Sequence, residues 1–273
     1  MKTIKTLLTV ALMMTLIGSV ANAAVLNVPT TYNLIQEAID NAETGDTILV
    51  DNGTYYENLD FNGKDLVVAS NYLISDDVND IDATIINGGG NGSAVKFENN
   101  ETNAARLIGF KITSGDNVHG GGVRIFFSSP SIERCHIDAN NADVGGGLAV
   151  VMGSPMISFT TISYNEAGYG GGAYFLSSTV ELRNVTLFGN TSAMDGGGIY
   201  SYDSDIIIVN TIVYQNQPEG ITLSPSGEPN TLEVNNCNVE SGIAAVENPE
   251  NAYITWDESN IDEDPMFQNP VEG

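Results

Sequence analysis

The sequence predicts an all-β chain wound as a parallel β-helix solenoid of about eight rungs, and three observations predict it. First, Gly120-Gly121-Gly122, Gly145-Gly146-Gly147, Gly170-Gly171-Gly172 and Gly196-Gly197-Gly198 recur every 25 or 26 residues, a period that marks a solenoid. Second, with the first Gly of each triplet as position 0, the same residue classes return in fixed columns. Position 12 holds Ile132, Ile157, Leu182 and Ile208, and position 17 holds Ile137, Ile162, Leu187 and Val213. Position 20 is Asn140, Asn165, Asn190 and Asn216. Third, the chain between the triplets consists of short β-prone runs punctuated by Gly, Asn, Asp and Ser, read as three strands per repeat.

Taken in order, residues 1–23 carry a basic start at Lys2 and Lys5, an apolar run from Leu7 to Ile17 and small residues at Ala21-Asn22-Ala23. That pattern is a secretory signal peptide, with an apolar part short for a membrane span. Residues 24–273 read as a single β-helix domain. A short helix is expected at 32–42, where Leu34, Ile35, Ala38, Ile39 and Ala42 share one face. The first coil of a solenoid leaves its core and strand edges uncovered, and this helix is assigned as the cap. Regular coils follow over about 95–242. There the apolar columns 12, 15 and 17 face the core, the Asn column bonds from rung to rung, and the Gly triplets make turns where a Cβ would clash.

Bulk properties narrow the partners. The chain carries 35 acidic against 9 basic residues, for a net charge of −26. Such a surface repels nucleic acid and disfavours unaided binding of polyanionic glycans, while it attracts cations. No later stretch is apolar enough to span a bilayer, and a monomer is expected. Cys135 and Cys237 occupy one column four rungs apart, about 19 Å at ~4.8 Å per rung. A disulfide needs Cα atoms within about 7 Å, so both are expected to stay reduced.

The residues also carry a resemblance. The Gly-Gly-[apolar] plus [apolar]-x-x-Asn pairing resembles the repeat of chlamydial-type polymorphic outer-membrane proteins. Ile35-Gln36-x-Ala38-Ile39, Gly45-Asp46-Thr47, Gly53-Thr54-Tyr55-Tyr56-Glu57-Asn58 and Gly63-Lys64 together resemble the entry to bacterial right-handed β-helix proteins of the pectate-lyase-like superfamily. Ile261-x-x-Asp264-Pro265-x-Phe267 is similar to the start of the closing segment in those proteins, and the expected continuation beyond Gly273 is missing, as in a truncated chain. The resemblance implies a right-handed winding. It implies no single activity, since the superfamily holds lyases, hydrolases, esterases and non-catalytic surface proteins.

Candidate chemistry lies on the outward positions. Position 4 holds Arg124, Ala149, Tyr174 and Tyr200, and position 6 holds Phe126, Val151, Leu176 and Tyr202. Arg124, Phe126, Tyr174, Tyr200 and Tyr202 form a stripe suited to stacking on sugar rings, or to cover by another segment or partner. Glu133, Arg134, His136 and Asp138, with Arg183 two rungs on, are the nearest approach to a catalytic set. Within it Arg134 or Arg183 would serve as a lyase base, with His136 beside them. No two acids stack on neighbouring rungs of that face, no glycosidase-like carboxyl pair stands out there, and a solvated ion-pair patch is the competing reading. No cofactor is expected beyond calcium. The acids that would admit it are Asp76, Asp77, Asp80 and Asp82 in one loop, or a seam of Asp116, Asp143, Glu166, Asp195 and Glu219, one per rung. The expected function is a secreted or surface-displayed β-helix, non-catalytic, that presents a long face to a polysaccharide, a cell-surface glycan or a surface protein. The alternative is a polysaccharide lyase or related carbohydrate-active enzyme.

Overall fold

The computed structural model describes residues 23–224, 227–247 and 252–267. The proposed signal segment at 1–22 lies outside them, as do residues 268–273. The chain winds as a parallel β-helix of about nine coils, one more than the repeat count suggested. One flank is a ten-stranded sheet running from Val25–Val28 to Tyr253–Trp256. A second, eight-stranded, runs from Leu59–Asp60 to Val246–Glu247, and a third, also eight-stranded, from Gly53–Tyr56 to Asn238–Val239. Neighbouring strands within each sheet are parallel and one repeat apart, as in Ile132↔Ile157 and Ile137↔Ile162.

The expectation of three strands per coil needs correction. Four central coils carry a fourth strand, Asp116–His119, Asn141–Val144, Glu166–Tyr169 and Thr191–Asp195, which form their own sheet. These strands are polar or small, so no apolar run announced them. Their backbone amides nevertheless pair with those of the next coil, as in Asn141↔Glu166.

The core is a filled cylinder. Ile132, Ile157, Leu182 and Ile208 are fully buried, as are Ile137, Ile162 and Leu187, with Phe61, Phe97, Phe110 and Phe175 occupying the widest parts. Each Ile or Leu so buried contributes roughly 1.5–3 kcal/mol.

What turns the strands into coils is a left-handed residue at each corner. Arg134, Phe159, Asn184 and Asn210 have φ of 51–53° at one corner, and Ala139, Tyr164 and Gln215 have φ of 53° at the next. A third corner uses Phe127, Met152, Ser177 and Asp203, with φ of 48–53°. The residue before each Asn of the ladder takes the left-handed conformation, and the Asn locks the corner. Asn165 Oδ1 accepts from the Asn140 backbone N–H and from Asn140 Nδ2, both at 3.0 Å. Asn165 Nδ2 donates to Ile137 O at 2.9 Å and to Asn190 Oδ1 at 3.0 Å. The pattern repeats at Asn190 and Asn216. The other corners use smaller residues for the same bond: Cys135 N–H donates to Thr160 Oγ1 and Ser178 N–H to Ser204 Oγ.

At the fourth corner the Gly triplet is required twice over. Gly145 has φ of 68°, and a Cβ on Gly146 would lie 2.5 Å from Glu166 O and 2.6 Å from Gly171 O. Coils stack too closely there for any side chain.

The cap helix, α1, spans Ile35–Asn41, shorter than the predicted 32–42. Ile35, Ala38 and Ile39 are buried over the open core, but Leu34 is 51% exposed and precedes the helix instead of facing inward. Glu57 holds the helix start from the next coil, accepting from Ile35 N–H and Gln36 N–H at 2.9 Å each. A carboxylate there meets two unpaired amides at the positive end of the helix. Two further short helices, α2 (Tyr72–Ser75) and α3 (Asn79–Ala83), bulge from one coil. Among the described residues no helix is long and apolar enough to cross a membrane.

Cys135 and Cys237 are buried, free thiols in one column. Burial pushes the Cys135 thiol up to about 12 and raises that of Cys237 as well.

Two outcomes follow. Asn165→Ala removes the partner of the buried Asn140 N–H and the bond to Ile137 O, both on the preceding coil, and lowers stability by about 3 kcal/mol, as read from denaturant unfolding against wild type. The thiols, protonated and enclosed, resist iodoacetamide in the native protein at pH 8. Mass spectrometry then detects two alkylations only after unfolding.

Candidate functional site

The outward side of the second sheet carries an in-register column of Lys96, Arg124, Ala149, Tyr174, Tyr200, Thr222 and Glu247. Beside it runs Phe126, Val151, Leu176 and Tyr202. The five residues expected to form one stripe therefore share a face, but buried Ala149 and Val151 divide them. At one end Arg124 lies over the Phe126 ring at 4.1 Å, and His119 meets the same ring edge-on at 5.4 Å. The Arg124 guanidinium also stands 2.6 Å from Glu98, an ion pair whose angle departs from a hydrogen bond.

At the other end Tyr174 and Tyr200 stack with their rings 5.7 Å apart and only 1° from parallel. Tyr169 leans on Tyr200 at 5.0 Å. Burial raises the Tyr174 hydroxyl above its ordinary range, and Tyr200, Tyr202 and Tyr169 add to the effect. These four rings are one partly exposed cluster, three of them on the second sheet. Tyr169 was not foreseen. It ends a strand of the fourth sheet, and Gly170, left-handed with φ of 65°, turns the chain so that Tyr169 packs against the second sheet.

The nearest approach to a catalytic set is dispersed among partners. Arg134 is a left-handed corner residue whose guanidinium lies 4.5 Å from the Phe159 ring and 5.3 Å from Tyr72. His136 Nδ1 lies 2.8 Å from Asp82, and Asp138 is 3.2 Å from Lys111. Glu133 forms a two-point pair with Arg106 at 2.8 and 2.9 Å. Arg183, two rungs from Glu133, pairs with Glu181 on its own strand. Each cation is engaged, and Arg134 and Arg183 serve different neighbours.

The acidic groups are arranged differently from expectation. In the helical bulge Asp76 accepts from the Tyr72 hydroxyl, Asp77 from Asn79, Asp80 from Ser75 and Asn52, and Asp82 faces His136. Their carboxylates point to separate partners. The seam of one acid per rung is broken too: Asp116 and Glu166 share a column with Asn141 and Thr191, whereas Asp195 stands opposite Tyr169. Only its last members, Asp195 and Glu219, come together. Glu247 joins them, so that one carboxylate oxygen from each lies within 4.8 Å of the others.

The winding and the columns above agree with one comparison. A family model described as "Right handed beta helix region" matches residues 39–261. The chain belongs to that family. No curated protein sequence matches it. Two solved structures share its outline. Pectin methylesterase from carrot has 13% identity and a TM-score of 0.47, covering 87% of this chain and 89% of that one. Pectin methylesterase from Aspergillus niger, in a penultimately deglycosylated form, has 13% identity and a TM-score of 0.49, covering 89% of this chain and 92% of that one.

Within this right-handed β-helix, Glu247 and Thr222 were the residues that column counting missed. Both lie past the last Gly triplet, and the strands Ile221–Leu223 and Val246–Glu247 keep the register without the glycine signature. Alternation around Ile221 and Leu223, both buried apolar residues, was the available signal that Thr222 faces out.

Proposed function

We propose that the protein is exported and displays a non-catalytic glycan-binding face built on Tyr169, Tyr174, Tyr200 and Tyr202. The stacked pair Tyr174 and Tyr200 carries the reading. Parallel, partly exposed phenols offer apolar ring surface and hydroxyls together, which suits the apolar faces and hydroxyl rims of sugars. Their rotamers are already fixed by one another and by Tyr169, so binding orders little that is not ordered beforehand. Arg124 and Phe126 extend the face. Phe126 stands three rungs from Tyr202, about 14 Å at ~4.8 Å per rung, a span for an oligosaccharide rather than a monosaccharide.

The net charge of −26 favours neutral glycans over polyanions. Export is supported by the three-zone start at Lys2 to Ala23, and display at a surface by the likeness of the glycine repeat to polymorphic outer-membrane repeats. A non-catalytic role is supported by the engagement of Arg134, His136 and Arg183 in stacks and ion pairs.

Binding is measured by calorimetry or a glycan array with neutral oligosaccharides. Tyr174→Ala and Tyr200→Ala each weaken it about tenfold, the loss of one good stacking contact. Phe126→Ala weakens only the longer oligosaccharides. Unchanged affinity in both tyrosine variants overturns the face. Cleavage of pectate, alginate or another polymer by the wild type, lost in Arg134→Ala or Arg183→Ala, overturns the non-catalytic reading in favour of a lyase.

A further inference from the structure

We infer that Asp195, Glu219 and Glu247 form a calcium site that ties three successive coils together where the fourth sheet meets the second. Asp195 immediately precedes the Gly196 triplet, and Glu219 lies on the next coil, where Gly198 N–H donates to its carbonyl. Glu247 stands one coil further, paired in register with Thr222. One carboxylate oxygen from each lies within 4.8 Å of the other two. Oxygens that share one Ca²⁺ at about 2.4 Å are at most about 4.8 Å apart, and the trio meets that limit.

The backbone N–H of Gly196 donates to Glu219, and no cationic side chain among the described residues pairs with the trio. Glu219 Oε2 is enclosed without a hydrogen-bond partner.

A second observation, independent of the carboxylates, points to a ligand. Thr222 is only 3% exposed, and its Oγ1 has no hydrogen-bond partner. Its strand neighbours Ile221 and Leu223 face the core, so the Thr222 side chain faces outward. There it lies between Tyr200 and Glu247 in one column. A buried hydroxyl with no partner is costly, and this one belongs to the residue paired in register with Glu247. Carboxylate and hydroxyl oxygens are the donors that a hard cation selects. The ion would bridge coils that otherwise bring three like charges together. The site requires no glycan, and the glycan-binding face does not require the ion.

The test uses the mature protein, stripped with EDTA and titrated with CaCl₂ by calorimetry, alongside thermal unfolding. Expected is saturable binding of one ion per chain, with Tm rising by roughly 5 °C or more at a hundredfold excess over Kd. Glu247→Gln, an exposed change that leaves the core intact, weakens binding at least tenfold and removes most of the shift. Thr222→Val, close in shape but without the hydroxyl, weakens it several-fold. Asp77→Asn in the helical bulge leaves binding unchanged. Absence of saturable binding overturns the site. So does binding that survives Glu247→Gln, or binding that Asp77→Asn abolishes instead.

Discussion

The structure depends on the pairing of a left-handed residue with a bonded side chain directly after it. Each coil must change direction several times, and at most corners outside the glycine triplets residues such as Arg134, Phe159, Ala139 and Tyr164 adopt positive φ. Left to themselves these conformations cost roughly 1–2 kcal/mol each. The next residue bonds a neighbouring coil, through an Asn, Thr or Ser side chain or, at Gly153 and Val185, by donating its backbone N–H to the Ser or Thr of the next coil. Because each ladder bond reaches across one repeat, a corner can form only when the neighbouring corner is in register. Winding and register are thus the same event.

That register creates the outward tyrosine cluster. Tyr174 lies next to Tyr200 because the repeat places the same outward position one rung apart, not because the two attract each other across a cleft. The acid trio depends on a departure from the rule. The repeat leading to Gly196 is one residue longer than the two before it, and the register shifts between Ala167 and Tyr169. The extra residue brings Asp195 opposite Tyr169, at the edge where Glu219 and Glu247 converge. A strictly regular solenoid would have put Met194 there.

Most of the winding was legible because it rests on two strong signals, the apolar columns and the glycine triplets that no side chain could replace. The corners were legible only in half. Asn140, Asn165, Asn190 and Asn216 announced a ladder, but the left-handed residues before them are Ala, Tyr, Gly and Gln, chemically unrelated and held in place by the fold. The fourth sheet stayed hidden because its strands need no apolar face, only backbone pairing. The outward stripe was read to the residue at Tyr174, Tyr200 and Tyr202, yet Tyr169 reaches it from another sheet, which linear counting along one column cannot reveal. The acids were misaligned for a related reason: the loops that carry them differ in length by a residue, and in a β-structure one residue changes both column and face.

The corner residues point their side chains to solvent. Phe127, Met152, Phe159 and Tyr164 are each more than half exposed while their backbones sit at the most constrained points of the coil. Conformation there is dictated by the partner one step along, so the side chain is spared any duty in specifying the shape. Every coil consequently offers several surface addresses at which size, polarity and charge can drift without disturbing the winding. A lineage of such chains can diversify what it touches while its interior stays the same.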